Sequence, residues 1–188
     1  MMKRDQCLRI LARHVSDQIV VATYQAAFEM MAIKPRPLNY VSIGAMGQAS
    51  SHGLGLALGR PDKTVIVLDG DGSLLMNLGS LVTIAGAAPR NLLHFVCANG
   101  TYEANGGHPL PGPGPVDFAG FARAAGFPAV HDFSDLADFE ARIEGVLHQD
   151  GPVFAALHVE PGEAYPQDYE IIHSAEVRRA FKAALAAG

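Results

Sequence analysis

Residues 64–102 read TVIVLDGDGSLLMNLGSLVTIAGAAPRNLLHFVCANGTY. An apolar run, Thr64 to Leu68, ends in Asp69-Gly70-Asp71-Gly72-Ser73. A helix-like segment follows, and a second apolar run, Leu92 to Ala98, ends in Asn99-Gly100-Thr101. This pattern predicts a strand–helix–strand unit with polar, flexible tips where both strands end. Parallel pairing places those tips at one edge of a sheet, where ligands bind in α/β proteins. An acidic tip beside an amide tip presents oxygens to a hard cation and, through it, to a phosphate.

Working outward, strands and helices alternate along the rest of the chain. Cys7, Leu8, Ile10 and Leu11 give residues 3–14 the spacing of an amphipathic helix. A short strand is expected over Gln18 to Ala22, then a loop entering a helix over Thr23 to Met31. Lys34-Pro35-Arg36-Pro37 breaks any helix and is extended. The short apolar run Tyr40 to Ile43 opens into Gly44-Ala45-Met46-Gly47 and then a small-residue helix through Leu58. Gly53-x-Gly55 is not a dinucleotide fingerprint, because no strand leads directly into it. Its small residues instead suit close packing on the sheet.

Beyond Asn99, the stretch Gly100 to Pro115 is dense in Gly and Pro and is expected to be an irregular loop. A helix over Val116 to Ala125 ends at Gly126, and a strand covers Phe127 to His131. An amphipathic helix spans Asp135 to His148, with Ser134 as its N-cap. A last strand, Val153 to Val159, and a final helix, Ser174 to Ala187, complete the chain. Such alternation predicts an α/β fold: one doubly wound domain over residues 1–188, its mainly parallel sheet flanked by helices on both faces.

Composition narrows the function. Hydrophobic residues make up 49% of the 188 and charged ones 18%, as in a globular protein. A net charge of −5 argues against a nucleic-acid groove or a polybasic membrane patch. Cys7 and Cys97 form neither a disulfide framework nor a zinc spacing. The N-terminal residues lack the apolar core of a signal peptide, and no stretch approaches the ~20 apolar residues of a membrane span. A cytoplasmic protein is expected.

At the two tips, Asp71 lies between glycines that let the backbone bend sharply and approach an anion. A helix N-terminus attracts phosphate, whereas a bare carboxylate repels it unless a divalent cation intervenes. Asp71 therefore reads as a Mg²⁺ ligand beneath a diphosphate, with Asn99 supplying a neutral oxygen and a carbonyl of the next loop a third. A Gly-Asp-Gly turn alone also fits plain turn chemistry, and a phosphohydrolase using Asp69 or Asp71 as nucleophile accounts for the acidic tip. Neither accounts for Asn99 or for Gly44 to Gly47.

The words GAMGQASSHGLGLALG, LDGDGSLLMNLGSL and NGTYEANGGHP together resemble the diphosphate-binding domain of thiamine-diphosphate enzymes. They are most similar to sulfopyruvate decarboxylase beta subunits and the C-terminal part of phosphonopyruvate decarboxylases, over roughly residues 15–160. The resemblance implies thiamine diphosphate and Mg²⁺ as cofactors. It implies that Asp71 and Asn99 ligate the metal through side chains and Thr101 through its carbonyl. Gly70, Gly72 and Ser73 would meet the diphosphate, with Tyr102 beside them. Gly44 would offer a carbonyl to the pyrimidine amino group, next to Ala45, and Met46 would be the apolar wedge that bends the cofactor. The cofactor carries the organic chemistry of 2-oxo acid decarboxylation and the protein orients it.

Two departures stand out. The family places small hydroxyl residues after the first strand, and here the stretch is Thr23-Tyr24-Gln25-Ala26-Ala27-Phe28. Ala98 replaces a common Asn or Asp. The family's pyrimidine-binding domain, which carries a proton-handling glutamate, has no counterpart among these residues. The expected partner is an alpha subunit bearing that domain, together with self-association and a small 2-oxo acid substrate. The chain alone is expected to be inactive. A carboligase or oxidoreductase subunit and a non-catalytic cofactor-binding subunit remain alternatives. His52, His108 and Glu103 are the candidate catalytic side chains. Tyr102 and Asn105 sit at the base of a candidate lid, and His94 is expected to pack.

Overall fold

The computed structural model describes residues 1–41, 44–112 and 114–187. Its centre is a parallel sheet. The strands in chain order are β1 (Met2–Lys3), β2 (Ile19–Ala22), β3 (Asn39–Tyr40), β4 (Val65–Gly70), β5 (Leu92–Ala98), β8 (Ala129–Phe133) and β9 (Val153–Glu160). Their order across the sheet is β3–β2–β4–β5–β9, with β1 and β8 both paired to β9. Every pairing in this sheet is parallel. The apolar runs explain why: strands buried on both faces read as continuous Val, Ile, Leu and Phe.

Helices cover both faces, as expected. One face carries α1 (Arg4–His14), α2 (Tyr24–Ile33) and α7 (Leu136–Leu147), whose Leu8, Leu11, Met30, Phe139 and Ile143 pack on Ile66, Leu68, Phe95 and Leu157. The other carries α3 (Ala49–Gly59), α4 (Asp71–Leu75), α5 (Ser80–Ala87) and α6 (Phe118–Ala125). The short α8 (Tyr169–His173) and α9 (Ala175–Ala187) follow β9, and Phe181 of α9 joins this second core.

Several local expectations need correction. The segment after β4 is not one helix. Asn77 and Gly79 favour helix weakly, and the Asn77 amide donates to the Gly47 carbonyl at 2.9 Å instead of sitting idle on a helix face. Residues 100–115 are not wholly irregular either. β6 (Thr101–Tyr102) pairs antiparallel with β7 (His108–Pro109) around a 3₁₀ turn, Glu103–Asn105. Gly106 and Gly107, at φ +89° and +74°, supply the left-handed backbone this hairpin needs. β8 begins two residues later than expected, because Pro128 has no N–H to give the ladder. The N-cap of α7 is Asp135, not Ser134; its carboxylate accepts from the Asp138 N–H at 2.9 Å. Gly126 closes α6 at φ +100° as anticipated. Ser42 and Ile43, expected in the run that became β3, lie outside the described residues. Strand β1 and helix α8 are too short to leave a periodic pattern.

The small-residue helix α3 lies tight on the sheet. A Cβ built on Gly53 would come within 2.2 Å of Val67 Cγ2, whereas one on Gly55 meets nothing within 4 Å. Gly53→Ala is therefore expected to destabilise the protein by about 1–3 kcal/mol through overpacking. Gly55→Ala should stabilise it by about 0.5–1 kcal/mol by removing helix-interior glycine entropy. Urea denaturation of the two variants checks both signs.

Candidate active site

The strand order reverses between β2 and β4. The chain leaves β2 for α2 on one face and leaves β4 for α4 on the other, so the two connections diverge and open a crevice at the carboxyl ends of the strands. That crevice, together with the open solvent at its mouth, holds about 440 Å³ of empty space. It is lined by Thr23 to Ala26 after β2, Asp69 to Ser73 after β4, Asn99 and Thr101 to Ala104 after β5, and by Met46, Cys97 and Arg4.

Parallel register joins the two tips singled out in the sequence. Gly70 pairs with Cys97, so Asp71 and Asn99 emerge side by side. Asp71 is 2% exposed, and its carboxylate accepts from the Gly72 N–H at 2.8 Å and the Gly100 N–H at 2.6 Å. Burial pushes its pKa above the usual carboxylate range, with these N–H groups acting in the opposite direction. The first helical turn starts at Asp71 itself and not after Ser73, so the Gly72 N–H is turned to the Asp71 side chain.

Asn99 accepts through Oδ1 from the Thr101 N–H at 2.8 Å and the Thr101 hydroxyl at 3.0 Å. Its Nδ2 donates to Glu103 at 2.9 Å. Tyr102 lays its ring on Gly72, where a Cβ would stand 2.4 Å from Cδ1. Only glycine permits that approach. Ser73 Oγ accepts from the Gly47 N–H at 2.9 Å, and with the Asn77 bond to the Gly47 carbonyl this ties the 44–47 loop to the turn after β4.

Some expected residues are placed otherwise. Met46 lines the cleft, but Ala45 and Gly44 are exposed beside it. The Gly44 carbonyl accepts from the Tyr24 hydroxyl at 3.2 Å. Tyr24 holds that position with φ +44°, a left-handed backbone that costs a non-glycine residue energy. His52 does not reach the cleft: it stacks on Tyr40 at 5.5 Å, and its Nδ1 is bonded to the Gln48 carbonyl in its own helix. His108 and Asn105 are exposed on the hairpin and do not line the cleft. His94 packs fully buried against the Phe154 ring. Glu103 does line the cleft, in an ion pair.

That ion pair is the feature the sequence did not disclose. Arg4, 4% exposed, forks between two carboxylates. It donates to Glu29 at 2.6 and 3.0 Å and to Glu103 at 2.5 and 3.2 Å. Burial pulls the guanidinium pKa down, but the bonds to Glu29 and Glu103 outweigh it and the net shift is upward. Burial raises the Glu29 carboxyl, and Arg4 opposes that rise. One signal was available: Arg4 shares the stripe of α1 that carries Cys7, Leu8 and Leu11, and a charge on an apolar stripe needs a buried partner.

The residues fit a hard cation together with an anion. The Asp71 carboxylate, the Asn99 amide oxygen and the Thr101 carbonyl are oxygen donors of the kind such a cation takes. Among the described residues, no three His, Cys, Asp or Glu side chains form a metal cluster. A cation here needs further oxygens from a ligand. Thr23 Oγ1 is buried at the cleft wall without a partner, which suits an anionic oxygen.

Comparison with known proteins identifies a family. The family model for the thiamine pyrophosphate enzyme C-terminal TPP binding domain matches residues 20–157. The chain is 38% identical over 176 residues to phosphonopyruvate decarboxylase of Streptomyces viridochromogenes, of which it spans 44%. It is 38% identical over 165 residues to sulfopyruvate decarboxylase subunit beta of Methanothermobacter thermautotrophicus, covering 87% of this chain and 85% of that one. A solved Mycobacterium smegmatis structure, assigned to the thiamin diphosphate-dependent enzymes, superposes with TM-score 0.72 over 86% of this chain and 32% of its own, at 22% identity.

Replacing Arg4 leaves Glu29 and Glu103 without their counter-charge. Arg4→Met is expected to cost about 3–5 kcal/mol of stability, measured by urea denaturation at neutral pH.

Proposed function

This chain belongs to the thiamine pyrophosphate enzymes, through their C-terminal TPP binding domain, and from that premise we propose that it is the beta-type subunit of a heteromeric, thiamine-diphosphate- and Mg²⁺-dependent 2-oxo acid decarboxylase of the cytoplasm. Sulfopyruvate-like or phosphonopyruvate-like acids are the proposed substrates, after the names of its relatives. Among the described residues, no helix is long and apolar enough to cross a membrane. The observation that carries the reading is the bond from the Gly100 N–H to Asp71, which locks the two polar tips of β4 and β5 together beside the switch point.

Charge supports the metal. Asp69, Asp71 and Glu103 line the cleft with one guanidinium, Arg4, which is paired to Glu103 and to Glu29 behind it. A diphosphate entering such a cleft is repelled unless a divalent cation comes with it. Asp71, Asn99 and Thr101 would hold that cation. Thr23 and the backbone of Gly70 to Ser73 would meet the diphosphate. Met46 would press on the rings, and Gly44 would receive the pyrimidine amino group once the Tyr24 hydroxyl yields its carbonyl. When bound, thiamine diphosphate supplies the electron-accepting ring through which a 2-oxo acid loses CO₂.

Proton handling belongs, in this reading, to a glutamate on the pyrimidine-binding domain of an alpha subunit. Of the carboxylates in the cleft, Glu103 is held by Arg4, Asp71 by backbone N–H groups and Asp69, through Oδ1, by the Gly70 N–H. The substrate's second anion also looks to the partner, since both sides of the Arg4 fork are taken. One observation favours a second reading, a non-catalytic cofactor-binding subunit: Tyr24 fills the place of a small residue and ties up Gly44.

Calorimetry and a decarboxylation assay together separate the two. Thiamine diphosphate is expected to bind only with Mg²⁺, with the alpha subunit present, and Asp71→Ala should abolish that binding. Retained Mg²⁺-dependent binding in Asp71→Ala would contradict the ligand assignment, and a wild-type pair that binds the cofactor yet decarboxylates no 2-oxo acid would favour the non-catalytic reading. In a decarboxylation assay the chain alone should be inactive and the reconstituted pair active. Robust turnover by the single chain would remove the two-subunit proposal.

A further inference from the structure

The amide of Asn99 has two ends of similar shape, and only the oxygen can ligate a cation. Nothing in the amide itself decides which end points where. Here its surroundings decide. The Thr101 N–H, 2.8 Å away, demands an acceptor on one side, and the Glu103 carboxylate, 2.9 Å away, demands a donor on the other. A flipped amide would set NH₂ against N–H and an oxygen against a carboxylate, losing both bonds. Glu103 can impose this only while it stays fixed, and Arg4 fixes it through two bonds, itself clamped by three bonds to Glu29.

We propose that Glu103, anchored by Arg4 and Glu29, is a positioning residue that holds the Asn99 amide with its oxygen, not its nitrogen, on the Thr101 side, where the divalent cation would take the place of the Thr101 hydroxyl on that oxygen. The chain of contacts runs Glu29–Arg4–Glu103–Asn99, from α2 through α1 to the tip of β5. The Glu103 carboxylate is bonded to Arg4 and to the Asn99 amide, and it would act through Asn99. The inference rests on the reading of Asn99 as a metal ligand. It adds a role for a carboxylate that would otherwise only repel the diphosphate, and it explains why that carboxylate needs a buried guanidinium.

A mutant cycle tests orientation as distinct from mere loop integrity. In Asn99→Asp both ends of the side chain are oxygens, so orientation no longer matters. The apparent Mg²⁺ affinity is measured by calorimetric titration of Mg²⁺ into protein, partner subunit and thiamine diphosphate, and apo melting temperatures are recorded alongside. With Asn99 present, Glu103→Ala should weaken Mg²⁺ roughly 10- to 100-fold, the usual effect of losing a ligand's orienting partner. In the Asn99→Asp background the same change should leave the affinity unchanged or tighten it, by removing a facing carboxylate. Arg4→Lys, which keeps the charge but not the fork, should weaken Mg²⁺ only when Asn99 is present. Equal weakening in both backgrounds, or none in either, would overturn the inference. A wild-type protein whose thiamine diphosphate binding ignores Mg²⁺ would instead overturn the cofactor reading beneath it.

Discussion

The parallel ladder between β4 and β5 is the constraint on which the site depends. Six consecutive residue pairs, Val65–Leu92 through Gly70–Cys97, fix where both strands end. A slip of one residue would send every side chain to the opposite face and empty the core of its Val, Ile and Leu contacts. The register is therefore enforced by the whole apolar interior, and the relative position of Asp71 and Asn99 is inherited from it. The Gly100 N–H then closes the gap between the tips by bonding to the Asp71 carboxylate. A polar site of a few atoms thus borrows its rigidity from two hydrophobic layers.

Polar groups in the cleft form two tied sets. One joins Gly47 to Ser73 and Asn77, so the loop before α3 moves with the turn after β4. The other joins α1, α2 and the 3₁₀ turn through Arg4. Between them lies Tyr24, whose hydroxyl spans to Gly44 from a left-handed backbone. Backbone strain of this sort persists only where neighbours hold it, and here it stands at the mouth of the proposed cofactor site.

The sheet, its helices and the pairing of Asp71 with Asn99 were legible in the sequence because each leaves a local record. Buried parallel strands read as unbroken apolar runs, and the glycines of 70–72 mark a sharp turn. Hydrophobic periodicity also located α1 and α7, a run of small residues marked α3, and Gly126 marked the end of α6. Elements of two to five residues, such as β1, β6, β7 and α8, carry no period to detect. His52 was misplaced for a different reason: its nearness to Met46 along the chain does not survive the turn into α3, which aims the ring at Tyr40. The Arg4 cluster escaped because its members are far apart in sequence, and tertiary packing alone brings them together. What could be read was the anomaly of a charge on an apolar helix stripe, without its partner.

The match to the family model begins at residue 20, yet Arg4 lies upstream of it. The smallest piece of chain that carries every recognisable motif is therefore not the smallest piece able to arrange them. A fragment cut at the start of the family match would retain Asp71, Asn99 and Thr101 and lose the guanidinium that keeps Glu29 and Glu103 tolerable in a buried place. In this fold the N-terminal helix is a component of the cleft's electrostatics, and the boundary of the working unit lies outside the boundary of its signature.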